Sequence, residues 1–402
     1  MFGTRLLDRA GDRPPAPGAA ADATPAAAGA AAVRAPGWRR DLAAALPAWV
    51  CARVVVLAAL ALAKVVFLRL HPITDAVRLH EGLLGWDGQW YLRIAAYGYG
   101  AVPREALRFF PLYPLLARAL GLLPGVGPSA ALVLVANALA LVLGALLHRL
   151  VRQEGGDAAT ARRAAWLVAV VPPAFVLAMA YSEPLSGCLA VGVFLAMRRG
   201  RWSWAAIWAF LGALTRPVGA LIVVPMVVEA VARRRGVPAA SMLRRLSAAA
   251  APLAGMGLYL AWVAARFGDP RLPWRIQQAS YLRGGLANPV VAVARSGVDF
   301  VHATMEPNGM HFVPALVLIA LAVVAFRRWP APYGAFAAVT IAAALSAERL
   351  GSLERYGFGA FPVVLALASL AARPEMERAV FCLAGAGLLA YSSLAFLNVY
   401  VP

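Results

Sequence analysis

The chain has 402 residues, of which 62% are hydrophobic and only 14% are charged. Soluble proteins carry about 25% charged residues, so this composition excludes a soluble globular protein. The formal net charge of +19 comes mainly from arginines that lie in short clusters between apolar segments. The positive-inside rule produces this pattern in membrane proteins, and the charge therefore does not indicate a nucleic-acid partner.

Residues 1–40 are rich in alanine, proline and glycine, and no apolar block precedes Leu42. They lack the hydrophobic core of a signal peptide, so we predict a disordered tail on the cytoplasmic side. Residues 41–402 are predicted to form one all-α polytopic domain in the cell membrane.

Eleven apolar segments in this domain approach the roughly 20 residues that cross a bilayer. They run from Pro47 to Leu70 and near 129–150, 164–180, 184–198, 203–216, 218–233, 241–266, 311–327, 331–348, 357–372 and 378–399. The region 203–233 could also form one long helix. Segment 109–123 is short and interrupted by Pro111 and Pro114, which predicts an interfacial or re-entrant helix.

Alternating these spans across the membrane sorts the loops between two sides. The side that receives the arginine clusters, including Arg233-Arg234-Arg235, is assigned to the cytoplasm. The extracytoplasmic side receives Asp87, Glu183, Arg216, residues 348–355 and two large loops, 71–128 and 267–310. We predict short amphipathic helices in the first of these loops. Helix counting thus brings the polar residues of interest to one face.

Asp87 is a carboxylate set among aromatic residues, between Trp86 and the pair Trp90-Tyr91. Aromatic rings stack on sugars and exclude water, which favours a general base that acts at a sugar. Two plainer interpretations stay open. Asp87 could cap a short helix, and the aromatic residues could form an interfacial belt. Asp75 lies in the same loop, so a carboxylate there is not unique.

Two charged residues interrupt later apolar segments. Glu183 lies in a Tyr-Ser-Glu-Pro sequence, and a charge among membrane spans tends to be functional or to mark a boundary. Arg216 precedes Pro217 and needs a partner. Because guanidinium groups bind phosphate bidentately, a lipid phosphate is one candidate. An ion pair with Glu183 or Glu229 is the plain alternative.

Arg355 follows Glu354 in a Ser-Leu-Glu-Arg-Tyr sequence and supplies a second outer arginine. A capped helix start with an internal ion pair would also explain this sequence. In the second outer loop, Gly268-Asp269-Pro270 is a common turn signal that precedes Gln277.

Nucleotide-binding and zinc-protease motifs are missing from the sequence, so we expect no ATP-driven transport and no cofactor. The five histidines and three cysteines show no metal-ligand or paired spacing. We therefore predict no metal site and no disulfide framework, and metal dependence of the reaction stays open.

In chain order, six motifs resemble the bacterial branch of the PIG-V-like mannosyltransferases, membrane glycosyltransferases of the GT-C fold. They are Trp86-Asp87 with Tyr97-Gly98-Tyr99, Phe110-Pro111-Leu112-Tyr113-Pro114, Tyr181-Ser182-Glu183-Pro184, Thr215-Arg216-Pro217 with Gly219, Gly268-Asp269-Pro270, and Glu354-Arg355-Tyr356. The resemblance covers the chain from about residue 45 to its end and is loosest near Gln277.

The resemblance implies a GT-C-like transmembrane catalytic domain that transfers a sugar with inversion on the extracytoplasmic face. The donor would be a polyprenyl-phosphate sugar, typically mannose, and the acceptor a lipid or glycan. Asp87 would be the general base, and Arg216 and Arg355 would hold the departing phosphate. The other expected substrate-binding residues are Trp86, Trp90 and Tyr91 for the sugar, Glu183 for sugar or acceptor hydroxyls, Tyr113 for the lipid, and Gln277 and Glu354.

Two rival functions stay open. A transporter or flippase of lipid-linked sugars would use the same outer groups for binding alone. The chain shows no internal repeat of the kind common in transporters, and its polar groups gather on one face, which favours an enzyme. A family member that has lost catalysis and assists assembly is the other alternative, and the full set of carboxylates and arginines argues against it.

Overall fold

The computed structural model describes residues 37–70, 77–302 and 308–402, and every regular element in these ranges is a helix. Most of the expected tail at 1–40 and the carboxylate Asp75 lie outside the described residues. Within 37–40, the first helix already begins at Trp38. The predicted all-helical class is confirmed for the described part of the chain.

The α-helices of the described residues are numbered in chain order. They are α1 (Trp38–Leu70), α2 (Val77–Glu81), α3 (Asp87–Tyr97), α4 (Leu112–Leu120), α5 (Pro128–Gln153), α6 (Ala158–Val170), α7 (Glu183–Arg198), α8 (Trp202–Ala213), α9 (Val223–Ala232), α10 (Ala239–Phe267), α11 (Leu272–Gln277), α12 (Pro289–Val301), α13 (Phe312–Arg328), α14 (Ala331–Leu345), α15 (Leu353–Phe358), α16 (Pro362–Leu370) and α17 (Pro374–Phe396). Short 3-10 helices lie at Gly82–Leu84, Tyr99–Ala101, Arg104–Arg108, Pro172–Leu177, Pro217–Ile222 and Gly309–His311.

Five of the described helices are long and apolar enough to cross a membrane: α1, α5, α10, α13 with its preceding turn, and α17. Each of the eleven predicted apolar segments coincides with one or two helices, although several are shorter than a bilayer requires. Apolar side chains of α1 face outward, with Val54 61% and Leu68 69% exposed. The finding supports a membrane protein, while the number of crossings stays a prediction.

The apolar stretch 203–233 is two helical pieces rather than one long helix. Pro217 cannot donate a backbone hydrogen bond, and it forces the preceding residue toward an extended conformation. Arg216 accordingly has φ −156° and ψ 152°, and α8 ends at Ala213. The chain then folds back so tightly that a Cβ on Gly219 would lie 2.2 Å from the carbonyl oxygen of Gly212. Arg216 is therefore held at a break between two helices.

Helices distant in sequence pack side by side. α5 contacts α1, α6 and α7; α7 packs on α8, α8 on α10, and α17 returns to α1. Backbone hydrogen bonds tie the connecting loops together, from Ala180 to Leu83 at 2.8 Å and from Leu112 to Leu214 at 3.0 Å. This packing brings the loops before α3, α7 and α15 to one end of the helices.

Candidate active site

Four charged side chains from four separate elements form one network. Arg355 Nη1 lies 2.5 Å from Asp87 Oδ2, and Arg355 Nε lies 3.4 Å from Glu183 Oε1. Arg216 forms an ion pair with the same Glu183 oxygen. Asp87 starts α3, Glu183 starts α7, Arg216 lies at the break after α8, and Arg355 lies in α15. The structure thus joins residues that are up to 268 positions apart in sequence.

The backbone on both sides of the Asp87–Arg355 contact is in an uncommon conformation. Trp86, directly before Asp87, has φ 59° and ψ −120°. Ser352, at the start of α15, is left-handed with φ 62°. A non-glycine residue in such a conformation costs on the order of 1–3 kcal/mol, and such strain clusters at functional sites. The surrounding packing therefore stabilises strained entries into both elements.

Asp87 does not act as a helix cap. The residue at the cap position of α3 is Trp86, which makes no side-chain cap bond, and Asp87 is the first helical residue. Its half-buried carboxylate is directed to Arg355 instead. Burial acts to raise the pKa of Asp87, but the charges of Arg355 and Arg108 outweigh it, so the pKa lies below its usual value. Asp87 is therefore ionised at neutral pH.

Glu183 is buried between two arginines. Its side chain is 4% exposed, and neither carboxylate oxygen has a well-directed hydrogen bond from the described residues. The ion pair between Glu183 and Arg216 is the plain alternative that the sequence left open. Glu229 lies elsewhere, paired with Arg198 at 3.0 Å and with Arg233 at 2.8 Å. A buried carboxylate with unused acceptor capacity is suited to receive hydroxyl groups of a ligand.

The aromatic residues beside Asp87 divide into two buried and two half-buried side chains. Tyr91 is 4% exposed and its hydroxyl contacts Ser182 Oγ at 2.7 Å. Tyr113 is fully buried and donates to the carbonyl oxygen of Leu132 at 2.9 Å. Their rings pack edge to face, with centroids 4.9 Å apart. Both rings have little exposed surface, and their expected contacts with sugar and lipid stay predictions.

Trp86 and Trp90 keep part of their surface accessible. Trp86 donates from Nε1 to the carbonyl oxygen of Ala395 at 3.0 Å, which ties the start of α3 to α17. Trp90 stacks on Phe109 with ring centroids 5.9 Å apart, and the Arg108 guanidinium lies 5.8 Å from the Trp90 ring centre. Both tryptophans adjoin Asp87 in position, so they stay candidates for a sugar platform.

Glu354 faces away from its neighbour Arg355. Its carboxylate accepts from Tyr400 Oη at 2.9 Å and contacts His311 Nδ1 at 2.8 Å, and Tyr391 Oη lies 3.4 Å away. An internal ion pair with Arg355 is not formed. These bonds anchor α15 to Tyr391 of α17, to Tyr400 after α17 and to the turn before α13. The expected contact of Glu354 with substrate stays a prediction.

The residues of interest in the second outer loop, Asp269 and Gln277, form no hydrogen bond or ion pair with the four described residues of the network. Asp269 accepts from the backbone of Arg271 at 2.8 Å and from the side chain of Arg275 at 2.8 Å, as a turn residue does. Gln277 ends α11 with a half-buried side chain, and its carbonyl oxygen accepts from the backbone of Arg283 at 3.4 Å. The structure therefore places Gln277 near the segment that carries Arg283, outside the four-residue network.

Three residues at the site were not selected from the sequence. Tyr356 lies among three guanidinium groups, with Arg283 at 4.7 Å, Arg355 at 5.1 Å and Arg216 at 5.5 Å from its ring centre. Arg108 lies close enough to Asp87 to lower its pKa. Its guanidinium lies 4.7 Å from the Phe109 ring centre, and its buried Nε has no hydrogen-bond partner among the described residues. Tyr356 stands in a quoted motif, but Arg108 and Arg283 are ordinary loop arginines without a sequence signal.

A cleft begins at Glu183, Arg216 and Arg355 and continues between apolar helices. Small residues line much of it. The apolar and small lining residues are Gly187, Ala190, Trp208, Ala209, Gly212, Val218, Gly219, Ile222, Phe336 and Gly359. The space between these residues has a volume of about 30 Å³, which is room for one or two water molecules. Among the described residues, no group of three or more metal-ligating side chains is clustered.

Several solved structures are similar to this chain at low sequence identity. Among solved structures, ArnT from Cupriavidus metallidurans in the apo state is 15% identical with a TM-score of 0.46, covering 77% of this chain and 70% of that chain. The same protein bound to undecaprenyl phosphate is 14% identical, with the same TM-score and coverage. The apo Archaeoglobus fulgidus oligosaccharyltransferase is 13% identical with a TM-score of 0.39, covering 87% of this chain and 56% of that one. No curated protein sequence matches the chain.

A family profile gives the sequence relationship. Residues 61–234 match the profile of the family Mannosyltransferase (PIG-V). The matched range contains Asp87, Glu183 and Arg216, and it ends before Arg355. The resemblance to PIG-V mannosyltransferases that the motifs indicate is therefore confirmed over residues 61–234.

Proposed function

We propose that this protein is an inverting glycosyltransferase that moves a sugar, expected to be mannose, from a polyprenyl-phosphate donor to a lipid or glycan acceptor on the extracytoplasmic face. The direct contact between Asp87 and Arg355, at the polar end of an apolar cleft, carries the proposal. It places a carboxylate base beside a cation that can hold a phosphate, as glycosyl transfer from a lipid phosphate requires.

In the proposed reaction, Asp87 accepts the proton of the acceptor hydroxyl. The acceptor oxygen forms a bond to the anomeric carbon, and the bond from that carbon to the phosphate oxygen breaks with its electron pair on the phosphate. Arg355 and Arg216 stabilise the charge that develops on the departing polyprenyl phosphate. Glu183 positions both arginines and accepts sugar or acceptor hydroxyls.

The ion pairs of the network suggest an order of binding. Arg355 contacts Asp87 and Glu183 at once, and its charge lowers the pKa of Asp87. A donor phosphate that binds Arg355 competes for the same guanidinium and adds negative charge near Asp87. Both effects raise the pKa of Asp87 and make it a better base. Donor binding would therefore activate Asp87 before the acceptor is deprotonated.

The apolar cleft is the proposed path of the polyprenyl chain. Gly187, Ala190, Ala209 and Gly212 line it along α7 and α8, and Glu183, Arg216 and Arg355 line its charged part. Its present volume is about 30 Å³, so these helices would have to separate when the donor binds. An isoprenoid chain there would be buried against apolar side chains while its phosphate reached the charged end. Tyr113 is buried and does not line this cleft.

A flippase of lipid-linked sugars would use the same cleft and arginines. The contact between Asp87 and Arg355 favours the flippase. Arg355 lowers the pKa of Asp87, so this carboxylate is a weak base until the ion pair is disturbed. In the proposed enzyme, donor binding to Arg355 disturbs this ion pair and raises the pKa of Asp87. The two functions therefore differ in whether a new glycosidic bond forms.

The test uses purified protein in liposomes with radiolabelled polyprenyl-phosphate mannose and a membrane-lipid extract as acceptor. We expect label in a new lipid or glycan product with the wild type and at least about 100-fold slower transfer with Asp87→Asn. Asp269→Asn, which removes a carboxylate from an outer turn, is the control and should retain transfer. Movement of the intact donor across the bilayer without any labelled product would instead support the flippase.

A further inference from the structure

The cations at the site outnumber its carboxylates. Arg216 and Arg355 pair with Glu183 and Asp87, whereas Arg283 has no carboxylate partner among the described residues. The Arg283 guanidinium lies 4.7 Å from the Tyr356 ring centre, and its Nη2 donates to the carbonyl oxygen of Ala344. Three arginines around Tyr356 face two carboxylates, and Arg108 near Asp87 adds to this excess of positive charge.

The loop that carries Arg283 is fixed by backbone pairing. Arg283 accepts from the backbone of Arg349 at 3.0 Å, and Gly285 accepts from the backbone of Glu348 at 3.2 Å. The Gly285 amide donates to the Glu348 carboxylate at 2.9 Å. Gly284, between Arg283 and Gly285, has φ +68°. A Cβ at Gly284 would lie 2.5 Å from Glu348 Oε2. Arg283 is therefore held at the site by a turn that requires glycine.

A partly buried guanidinium without a carboxylate partner is unfavourable, and an anionic ligand could offset this cost. Arg283 is half-buried, and burial lowers its pKa, yet a guanidinium stays charged in proteins. Partly desolvated charge without a counter-charge is unfavourable. The ring of Tyr356 offsets part of this cost, because guanidinium groups are attracted to aromatic faces. The remaining imbalance suits an anion that arrives with the substrate.

We propose that Arg283 is a third phosphate-binding residue, which contacts the phosphate of the lipid donor and of the product polyprenyl phosphate. The inference rests on the proposed function, because it takes the lipid phosphate as the ligand. The donor phosphodiester carries one negative charge, whereas a phosphate monoester carries about 1.5 to 2 at neutral pH. Arg283 would therefore bind the product more strongly than the donor and stabilise the charge that develops as the bond breaks.

The test measures binding of geranylgeranyl phosphate to the full-length purified protein in detergent, with neutral geranylgeraniol as the second probe. Arg283→Gln should weaken binding of the phosphate about 10-fold, because the loss of one hydrogen bond to a charged group corresponds to about that factor. Binding of the alcohol should not change. Arg275→Gln is the matched control from the same loop, since Arg275 is exposed and pairs with Asp269.

Arg283→Lys keeps the charge but not the forked geometry, so its effect should lie between those of the wild type and the glutamine variant. Thermal unfolding of each variant identifies loss of fold. Equal weakening for both probes, unchanged binding of the phosphate by Arg283→Gln, or no phosphate binding by the wild type would overturn the assignment. Arg283-dependent binding of the phosphate without sugar transfer from any donor would support the assignment and contradict the proposed function.

Discussion

Arg355 is the residue on which the charge balance of the site depends. Its side chain is 5% exposed and it contacts the carboxylates of Asp87 and Glu183. Removal of one partner from a buried ion pair is costly because the other charge stays buried. The same contacts set the pKa of the proposed base, so one guanidinium influences both stability and chemistry.

The pH dependence of stability reports the protonation of Asp87. Its folded-state pKa is depressed, so its ion pair contributes stability above its unfolded pKa of about 3.9, and this contribution is lost as pH falls through the folded pKa. We expect Asp87→Asn to reduce the unfolding free energy by about 1–3 kcal/mol, equally at pH 8 and pH 5. Thermal unfolding in detergent across this range measures it. If the difference in unfolding free energy between the wild type and Asp87→Asn already disappeared between pH 7 and pH 6, the pKa of Asp87 would be raised instead.

The Glu354 cluster yields a second prediction. Tyr400→Phe removes a 2.9 Å hydrogen bond to buried Glu354 and should lower the unfolding free energy by about 1 kcal/mol. Tyr391→Phe removes a longer contact of 3.4 Å and should cost less. Thermal unfolding of both variants gives the comparison. An equal or larger effect of Tyr391→Phe would contradict the assignment of Tyr400 as the main anchor of Glu354.

The sequence identifies the charged residues of the site, but it does not show which side chains are buried around them. Asp87, Glu183, Arg216 and Arg355 stand out because charges are rare in apolar sequence, and helix counting predicts that they share a face. An aromatic motif does not reveal burial, so Tyr91 and Tyr113 cannot be distinguished in sequence from rings that line a site. Arg283 is one of many loop arginines, and only the three-dimensional pairing of its loop brings it to Tyr356.

Among the elements, α7, α8 and α14 supply the apolar lining of the proposed lipid path. Gly212 lines the cleft, and the nearest atom to a Cβ built there is Leu189 Cβ at 3.8 Å. Helices often end or break at proline, so the sequence shows the interruptions at Pro217 and Pro111. The cleft itself depends on small residues from several helices, and their packing is not visible in any one segment.

Gly212→Leu should narrow the cleft without disturbing the helix. The substitution removes a glycine from α8, which favours helix, but the leucine side chain is larger than the space beside it, so thermal unfolding must first show that the variant is folded. We expect KM to rise about 10-fold for a polyprenyl donor and to change little for a geranyl donor, since a short chain buries less surface in the cleft. Gly257→Leu is the control, because nothing lies within 4 Å of a Cβ at that helical position. Equal changes for both donors would contradict the lipid path.

For the whole molecule, the predicted orientation places the site outside the cell. The all-helical architecture and the apolar segments could be predicted from the sequence, because hydrophobic periodicity and length determine them. The number of membrane crossings could not be predicted from the sequence, because helices such as α14 and α16 are apolar yet too short to cross a bilayer. Their burial among other helices lets them be apolar without spanning the membrane alone.

The orientation is tested by labelling single cysteines in intact cells. Cys51, Cys188 and Cys382 are first replaced by alanine, and Tyr97→Cys and Arg235→Cys are then made separately. Tyr97 is 69% exposed at the end of α3, so a membrane-impermeant maleimide should label it from outside. Arg235 belongs to a predicted cytoplasmic cluster and should react only after permeabilisation. The reverse pattern would place Asp87 and Arg355 on the cytoplasmic side.

The most direct test of the proposed chemistry compares donor binding and sugar transfer in Asp87→Asn. Asparagine keeps the size of the side chain but cannot take a proton, so the variant should bind polyprenyl-phosphate mannose at least as well as the wild type. Transfer in a single turnover should fall by about 100-fold or more, the range expected for loss of a general base. A folded Asp87→Asn protein that transfers mannose at the wild-type rate would contradict the catalytic role of this carboxylate and the site built around it.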